Sequence, residues 1–183
     1  MADLCNLSTA LIFGTDTGNT EEVGDKIAAE LAPFGCPVEM INVNEASADV
    51  LEAYDFLILG IPTWDFGGIQ EDWENFENEL AEADLSNAVV ALKGVGDQFG
   101  YGDYFVDAMG WIHERIHNKV AALVGKWGTE GYEFNDSRAL LEDGKTFCGL
   151  AVDEDQQFEL TDQRVETWVQ QIAAEIELID VLA

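Results

Sequence analysis

A hydroxyl-rich turn near the N-terminus constrains the fold of this chain more than any other segment. The residues Thr15-Asp16-Thr17-Gly18-Asn19-Thr20 follow the apolar run 10–14 and precede a segment with helical periodicity. A strand that ends in such a turn and opens into a helix presents free backbone N–H groups and the positive end of the helix dipole to an anion. The turn contains no lysine or arginine, which suits a phosphate that is held in place and not transferred.

Apolar runs alternate with helical segments along the rest of the chain. We predict strands at 9–14, 37–43, 55–61 and 88–95, a split pair at 121–127 and 147–152, and helices at 19–32, 46–53, 70–82, 104–119 and 161–177. Continuous apolar runs such as 56–59 are typical of strands that are covered on both faces. This alternation predicts one α/β domain over 1–183, with a doubly wound parallel sheet. Residues 128–146 are expected to form an insertion that splits the last strand.

Two further loops, 62–70 and 96–104, follow predicted strands and are rich in aromatic residues and glycine. Because ligands of such sheets bind beyond the carboxyl ends of the strands, we expect the three loops to meet at one site. Trp64 follows Pro62-Thr63 in the second loop, and Tyr101 stands between two glycines in the third. Two aromatic rings beside a phosphate-binding turn predict a flat ring system stacked between them.

Taken together, these segments resemble the flavodoxin family, and in particular its long-chain subgroup, over nearly the whole chain. The matching segments are 15–20, 62–64 with Gly67, 70–73, 96–101, 131–134 and 149–155. The resemblance implies a five-stranded flavodoxin-like sheet of order 2-1-3-4-5, with helices on both faces and noncovalently bound FMN. It also implies a protein that shuttles single electrons between redox proteins, with no catalytic residues and no metal of its own.

The resemblance also assigns roles to the three loops. The first would hold the FMN phosphate, Trp64 and Tyr101 would sandwich the isoalloxazine, and the backbone of 62–68 would face flavin N5. The loop at Asp97 would face the pyrimidine edge, and Asp155 would lie near the ribityl chain. The implied cofactor-binding residues are Thr15, Asp16, Thr17, Gly18, Asn19, Thr20, Pro62, Thr63, Trp64, Asp65, Phe66, Gly67, Gly96, Asp97, Gln98, Tyr101, Tyr104 and Asp155.

The second loop is also expected to separate the two redox potentials of the flavin. In flavodoxin-like proteins a peptide of this loop turns when N5 gains a proton, and its carbonyl then accepts a bond from N5–H, which favours the neutral semiquinone. Here that peptide would be Asp65–Phe66, and Gly67 permits the required dihedrals. A carboxylate about 10 Å from the flavin, at an effective dielectric near 20, opposes the anionic hydroquinone by about 1.7 kcal/mol. We therefore predict a low-potential carrier that cycles mainly between semiquinone and hydroquinone.

Several positions depart from the family pattern. Gly68 stands where the family commonly has an acidic residue, and Asp65 and Tyr104 stand where it has asparagine. Lys93 is unusual at the end of an otherwise apolar strand, and the C-terminus continues through 179–182. Tyr104 adds a ring that is expected to shield the flavin or to contact a partner.

The charge balance restricts the partners of this chain. It contains 37 acidic and 8 basic residues, for a formal net charge of −29. Such a chain is repelled by nucleic acid and by anionic membrane surfaces. The charge is expected to serve solubility, the steering of redox proteins with basic docking surfaces, or both. Those proteins would be a reductase or oxidoreductase as donor and a low-potential acceptor. We expect a monomer.

Cysteine usage and the N-terminus predict a cytoplasmic protein. Cys5, Cys36 and Cys148 are widely spaced and odd in number, which favours reduced thiols over a disulfide framework or a metal site. The first six residues do not have the basic-then-apolar pattern of a secretory signal. No apolar run approaches the roughly 20 residues that span a membrane.

Three alternative functions remain to be tested. His113-Glu114-Arg115-Ile116-His117 matches the His-Glu-x-x-His pattern of zinc proteases, but these are the only two histidines, and they lie beside the apolar stripe of their predicted helix. An FMN-dependent reductase of a small molecule such as a quinone would need a substrate pocket over the flavin. An anion-binding module without flavin would use the first loop alone.

Overall fold

The computed structural model describes residues 3–179, and its central sheet has the predicted order. The strands are β1 (Thr9–Phe13), β2 (Val38–Asn42), β3 (Phe56–Trp64), β4 (Gly68–Ile69) and β5 (Val89–Val95). The four long strands lie parallel in the order β2-β1-β3-β5, and β4 forms a hairpin with the end of β3. The predicted doubly wound arrangement is therefore confirmed.

Two separate segments fill the fifth position of the sheet. Strand β6 (Ala122–Val124) pairs with the first half of β5, and β9 (Leu150–Val152) pairs with its second half. The intervening residues include β7 (Trp127–Gly128) and β8 (Thr146–Phe147), which pair with each other in antiparallel fashion. The predicted split of the last strand is confirmed, and the predicted insertion at 128–146 lies between its two halves.

Helices cover both faces of the sheet. They are α1 (Asn19–Leu31), α2 (Ala48–Glu52), α3 (Glu71–Asn75), α4 (Glu77–Glu82), α5 (Asp107–Ile116) and α6 (Thr161–Glu177). Helices α1 and α6 pack on one face with Ile27 and Trp168 fully buried, and the other four pack on the opposite face. Each fully buried side chain of this size contributes about 1.5–3 kcal/mol through apolar burial. The two layers hold the carboxyl edge of the sheet in place.

Two of the predicted helices are wrong in extent. The segment 70–82 is not one continuous helix, because Phe76, with a ψ of −5°, separates α3 from α4; its buried ring packs edge-on to Trp73, with centroids 5.9 Å apart. The segment 104–119 is helical only from Asp107 to Ile116, because Val106 has a left-handed φ of 50° and cannot continue a helix. Helix α2 begins after Ser47, whose hydroxyl accepts the Val50 N–H at 3.3 Å.

Three strands also have bounds that differ from the predicted ones. Strand β3 extends past the predicted 55–61 to Trp64, because its end pairs with both β5 and β4. Strand β6 ends before the predicted 127, where Gly125 adopts a φ of 78°. Phe147 belongs to β8 and pairs with Trp127, so β9 begins at Leu150 and not at 147. The remaining predicted bounds agree to within two residues.

The ends of the chain are only partly described. Residues 1, 2 and 180–183 lie outside the described part, and with them most of the predicted C-terminal extension 179–182. Within residues 3–179, no helix combines the length and apolar character needed to cross a bilayer.

Candidate functional site

The three predicted loops meet around one cavity at the carboxyl ends of β1, β3 and β5. Its volume is about 360 Å³. It is lined by Thr17, Asn19, Thr20, Pro62, Thr63, Trp64, Asp65, Val95, Gly96, Asp97, Tyr101 and Asp155. The cavity therefore lies at the edge where a ligand is expected in a doubly wound sheet.

The N-terminus of α1 forms one end of the cavity. Thr15 Oγ1 accepts the Gly18 N–H at 2.8 Å, and Gly18 adopts a φ of 92°, so the turn folds back and leads directly into the helix. The first N–H groups of a helix have no intrahelical acceptor. Thr20 is 1% exposed, and its hydroxyl has no hydrogen-bond partner among the described residues. Buried polar atoms are nearly always bonded, so this end of the cavity is built to receive an acceptor such as a phosphate oxygen.

The second loop is a tight hairpin between β3 and β4. Trp64 pairs with Gly68, and the three residues between them include Asp65 with a φ of 41° and Gly67 with a φ of 83°. Thr63 Oγ1 accepts the Ala108 N–H at 3.0 Å, which attaches the hairpin to the first turn of α5. A left-handed conformation costs a non-glycine residue about 1–3 kcal/mol. The hairpin therefore holds strain at Asp65, directly beside the cavity.

Two aromatic side chains line the cavity, and two others lie outside it. Trp64 and Tyr101 belong to the lining, and the buried Trp64 Nε1 has no partner among the described residues. Phe66 is 77% exposed and stands edge-on to both Tyr101 and Tyr104, with centroids 5.9 and 5.8 Å apart. The rim of the cavity thus joins the second and third loops through aromatic contacts.

The third loop is fixed by a buried carboxylate. Asp153 is fully buried, and its Oδ2 accepts the backbone N–H of Gln98 at 3.0 Å and the Gln98 side-chain amide at 2.9 Å. Gln98 Oε1 accepts the Glu133 N–H at 2.6 Å. Gly96 N–H donates to the Val152 carbonyl at 3.0 Å. These bonds tie the loop after β5 to β9 and to the segment between the two halves of the last strand.

Three carboxylates line the cavity: Asp65, Asp97 and Asp155. Asp97 Oδ1 accepts the N–H groups of Phe99 and Gly100 at 3.0 and 2.8 Å, which stabilises the turn that presents Tyr101. Burial raises the pKa of Asp155, with smaller contributions from the negative charges of Asp97 and Asp153. The neighbouring Asp65 carboxylate raises the pKa of the Tyr101 phenol. The cavity is therefore electronegative in the part that Trp64 and Tyr101 line.

The structure brings most, but not all, of the predicted site residues to the cavity. Those outside its lining are Thr15, Asp16, Gly18, Phe66, Gly67, Gln98 and Tyr104. Thr15 and Gly18 shape the first turn, Gln98 bonds to Asp153, and Tyr104 contacts Phe66. Gln70 Nε2 lies 3.4 Å from Asp16 Oδ1 and its Oε1 accepts the Trp73 N–H, so Gln70 connects the first two loops.

Sequence reasoning missed Val95, Asp153 and the positioning role of Gln70. Val95 looks like one more apolar residue of a buried strand, and no pattern distinguishes it from its neighbours. The Asp153-x-Asp155 pair that follows an apolar strand was a usable signal, because a carboxylate at a strand end often bonds free N–H groups of an adjacent loop.

The two histidines lie outside the cavity lining, His113 on α5 and His117 directly after its last residue. Their rings stack with centroids 5.1 Å apart and an interplanar angle of 22°. His113 is half-buried and His117 is exposed, as the position beside the apolar stripe predicts. Burial, followed by the charge of His117, lowers the pKa of His113. Within residues 3–179, no cluster of three or more His, Cys, Asp or Glu side chains is placed to hold a metal.

Comparison with known proteins gives one consistent family. The Flavodoxin family model matches residues 11–168. Flavodoxin 2 of Salmonella typhi is 44% identical over 170 residues, which cover 93% of this chain and 97% of that protein. Flavodoxin 1 of Escherichia coli K12 is 46% identical over 174 residues, which cover 95% and 97%. The crystal structure of Fusobacterium nucleatum flavodoxin bound to flavin mononucleotide superposes with a TM-score of 0.85 at 28% identity, covering 92% of this chain and 98% of that one.

Proposed function

Since this chain belongs to the flavodoxin family, we propose that it binds FMN in the cavity described above and carries single electrons between redox proteins. Flavodoxins are electron-transfer proteins, and the chain is one of them rather than an enzyme that turns over a substrate. The segment between β6 and β9 supports its assignment to the long-chain subgroup.

One observation carries the proposal: the cavity combines an unpaired anion-binding end with two aromatic walls. The buried Thr20 hydroxyl, without a partner among the described residues, lies at the N-terminus of α1. Trp64 and Tyr101 line the same cavity. An anionic tail joined to a flat ring system is the kind of ligand that satisfies both parts, and FMN has this form.

The residues present fit FMN. Thr17, Asn19 and Thr20, together with the free N–H groups at the start of α1, would hold its phosphate. Trp64 and Tyr101 would stack on the ring system and exclude water from it, while Gly96 and Asp97 would bound it from the third loop. When it is bound, FMN supplies one-electron transfers at two separate potentials.

The second loop has the backbone properties needed to control those potentials. Asp65 and Gly67 both have positive φ values, 41° and 83°, so Phe66 lies between two residues in left-handed conformations, and the Asp65–Phe66 peptide directly follows the first of them. We propose that this peptide turns to offer its carbonyl to a proton on flavin N5. Turning this peptide changes ψ of Asp65 and φ of Phe66, and a hydrogen bond from N5–H to its carbonyl would favour the state in which N5 carries the proton.

The carboxylates around the ring make the second electron difficult to add. Asp65, Asp97 and Asp155 line the cavity, and each opposes a further negative charge inside it. The proposed carrier therefore works at low potential and cycles mainly between the one-electron-reduced and fully reduced forms.

The acidic surface suits redox partners with basic docking surfaces. With 37 acidic and 8 basic residues, the chain attracts such partners over distances limited by salt screening. The rate at which the protein exchanges electrons with a basic reductase should fall steeply as salt rises, whereas a flat salt profile would leave solubility as the reason for the charge. The proposed cytoplasmic location depends on the reduced state expected of Cys5, Cys36 and Cys148.

Stepwise anaerobic reduction of the FMN-loaded protein, followed in the visible spectrum, tests the proposed function. Accumulation of a blue, neutral one-electron-reduced flavin before full reduction is the expected result. Direct conversion from oxidised to fully reduced flavin would contradict it. Oxidation of NAD(P)H by the isolated protein would instead favour a reductase, and failure of the apoprotein to take up FMN would favour an anion-binding module.

A further inference from the structure

Lys93 is a cation in the middle of the sheet. It lies on β5, paired with Gly60 of β3 on one side and Leu150 of β9 on the other, and it is 0% exposed. Taking an ammonium group out of water costs several kcal/mol unless it finds partners. A buried lysine in an otherwise apolar strand therefore calls for an explanation in its surroundings.

The lysine side chain crosses β3 to reach the helix that opens the phosphate end of the cavity. A Cβ on Gly60 would lie 2.4 Å from Lys93 Cε, so the missing side chain at Gly60 makes room for this path. Lys93 Nζ then donates to the carbonyl oxygen of Thr20, in the first turn of α1. An ammonium group can donate three hydrogen bonds. Among the described residues, the Thr20 carbonyl is the one acceptor of Lys93 Nζ.

Thr20 links the ammonium group to the cavity. The same residue lines the cavity and holds a buried hydroxyl without a partner among the described residues. The carbonyl and hydroxyl oxygens of one threonine lie within about 4 Å of each other, so the ammonium nitrogen is at most about 7 Å from that hydroxyl. Lys93 thus places a positive charge directly behind the anion-binding turn, which contains no cation in its own sequence.

We propose that Lys93 is a positioning residue for the phosphate group of the ligand: it fixes the first turn of α1 through the Thr20 carbonyl and supplies the buried counter-charge of the phosphate. This inference rests on the proposed function, because FMN is the ligand that brings the phosphate. It predicts that Lys93 distinguishes FMN from riboflavin, which has the same ring system without the phosphate.

The electrostatic surroundings of Lys93 support this role. Burial lowers the pKa of Lys93 to about 7, while the negative charges of Asp25 on α1 and Glu154 after β9 act in the opposite direction. A phosphate monoester has a second pKa near 6, so at neutral pH it is largely a dianion. A dianion at the turn favours the protonated lysine, and the binding of FMN is therefore coupled to the charge of Lys93.

The variant Lys93→Met tests the inference, because methionine keeps the approximate shape and removes the charge. Apoprotein is titrated with FMN and with riboflavin, and binding is followed by flavin fluorescence. We expect the variant to bind FMN about tenfold more weakly, which corresponds to about 1.4 kcal/mol, while its affinity for riboflavin changes by less than about twofold. Equal losses for both ligands, or an unchanged affinity for FMN, would overturn the inference.

Lys119→Met is the matched control. Lys119 is partly buried, its Nζ donates to the carbonyls of Leu80, Ala81 and Ala83, and it lies outside the cavity. This variant should bind both flavins as the unaltered protein does. If the unaltered protein binds neither flavin, the proposed function itself fails. If it binds FMN but Lys93→Met keeps the same preference for FMN over riboflavin, only the role of Lys93 fails.

A second measurement needs no variant. Above about pH 7 the phosphate stays a dianion, whereas Lys93, whose pKa burial lowers to about 7, loses its charge as the pH rises. The ratio of the affinities for FMN and riboflavin should fall by up to about tenfold as the pH rises from 7 to 9, because binding favours the protonated lysine. A ratio that stays flat over this range would overturn the inference even if Lys93→Met does not fold.

Discussion

Replacing Asp65, Asp97 and Asp155 by asparagine is expected to raise the potential at which the bound flavin accepts its second electron. These three carboxylates line the cavity, and each opposes the negative charge that the second electron adds. The first electron is accompanied by a proton and adds no net charge, so the first potential should change much less. Asparagine keeps the acceptor oxygen that Asp97 offers to Phe99 and Gly100.

The magnitude follows from the size of the cavity. A volume of about 360 Å³ is that of a sphere about 4 Å in radius, so a carboxylate on its wall lies about 7 Å from its centre. At that distance one charge contributes about 2.4 kcal/mol at an effective dielectric of 20 and about 0.6 kcal/mol in water. For a one-electron couple these energies correspond to roughly 100 mV and 30 mV. Asp65 and Asp155 are exposed, so water screens them and the contribution of each to the second potential is nearer roughly 30 mV.

Spectroelectrochemical titration of each single variant and of the triple variant measures both potentials. The triple variant should show a rise of at least about 90 mV in the second potential if the three contributions add. Glu30→Gln serves as the control, because Glu30 lies near the far end of α1, about 16 Å along the helix from Asn19, beyond a Debye length of about 8 Å. A triple variant whose second potential matches that of the unaltered protein would refute the electrostatic argument.

Three further outcomes are expected. Trp64→Ala and Tyr101→Ala should each weaken FMN binding by about 1–3 kcal/mol, the range for stacking on an aromatic side chain, as measured by fluorescence titration; unchanged affinity in both would contradict the stacking. Asp153→Asn should lower the free energy of unfolding of the apoprotein by about 1–3 kcal/mol, because the N–H groups that converge on this buried carboxylate lose an acceptor; thermal unfolding checks this, and an unchanged Tm would contradict it. Burial lowers the pKa of Lys93 from 10.5 to about 7, so the unfolded chain binds more protons between these pH values and the cost of burying Lys93 decreases as the pH rises. The stability of the unaltered apoprotein relative to Lys93→Met should therefore increase from pH 7 to pH 10 in denaturant titrations, and a decrease would contradict the assignment.

The parts of the fold that the sequence predicts well are those in which one local pattern decides the outcome. Strands β1, β3 and β5 are mainly apolar, and their pairing partners follow from the right-handed crossovers of an α/β chain. The turn at 15–20 lies at the end of β1, where its hydroxyl groups and glycine place it. These features depend on residues close together in the chain, so a single sequence contains them.

The features that the sequence does not predict depend on contacts between distant residues. Nothing near Val106 indicates its left-handed conformation, which shortens α5. The path of Lys93 depends on the missing side chain at Gly60, on a neighbouring strand. The bonds between Gln98 and Asp153 join loops that are 55 residues apart. For the same reason the predicted lining includes Gln98 and omits Val95.

The most direct test of the flavin site is an equilibrium titration of the apoprotein with FMN, followed by flavin fluorescence. We expect FMN to saturate the protein at one molecule per chain, with its fluorescence strongly quenched by stacking on Trp64 and Tyr101. A protein that does not bind FMN, or that binds it with fluorescence like that of the free flavin, would contradict the claim that these rings and the turn at 15–20 form one flavin site.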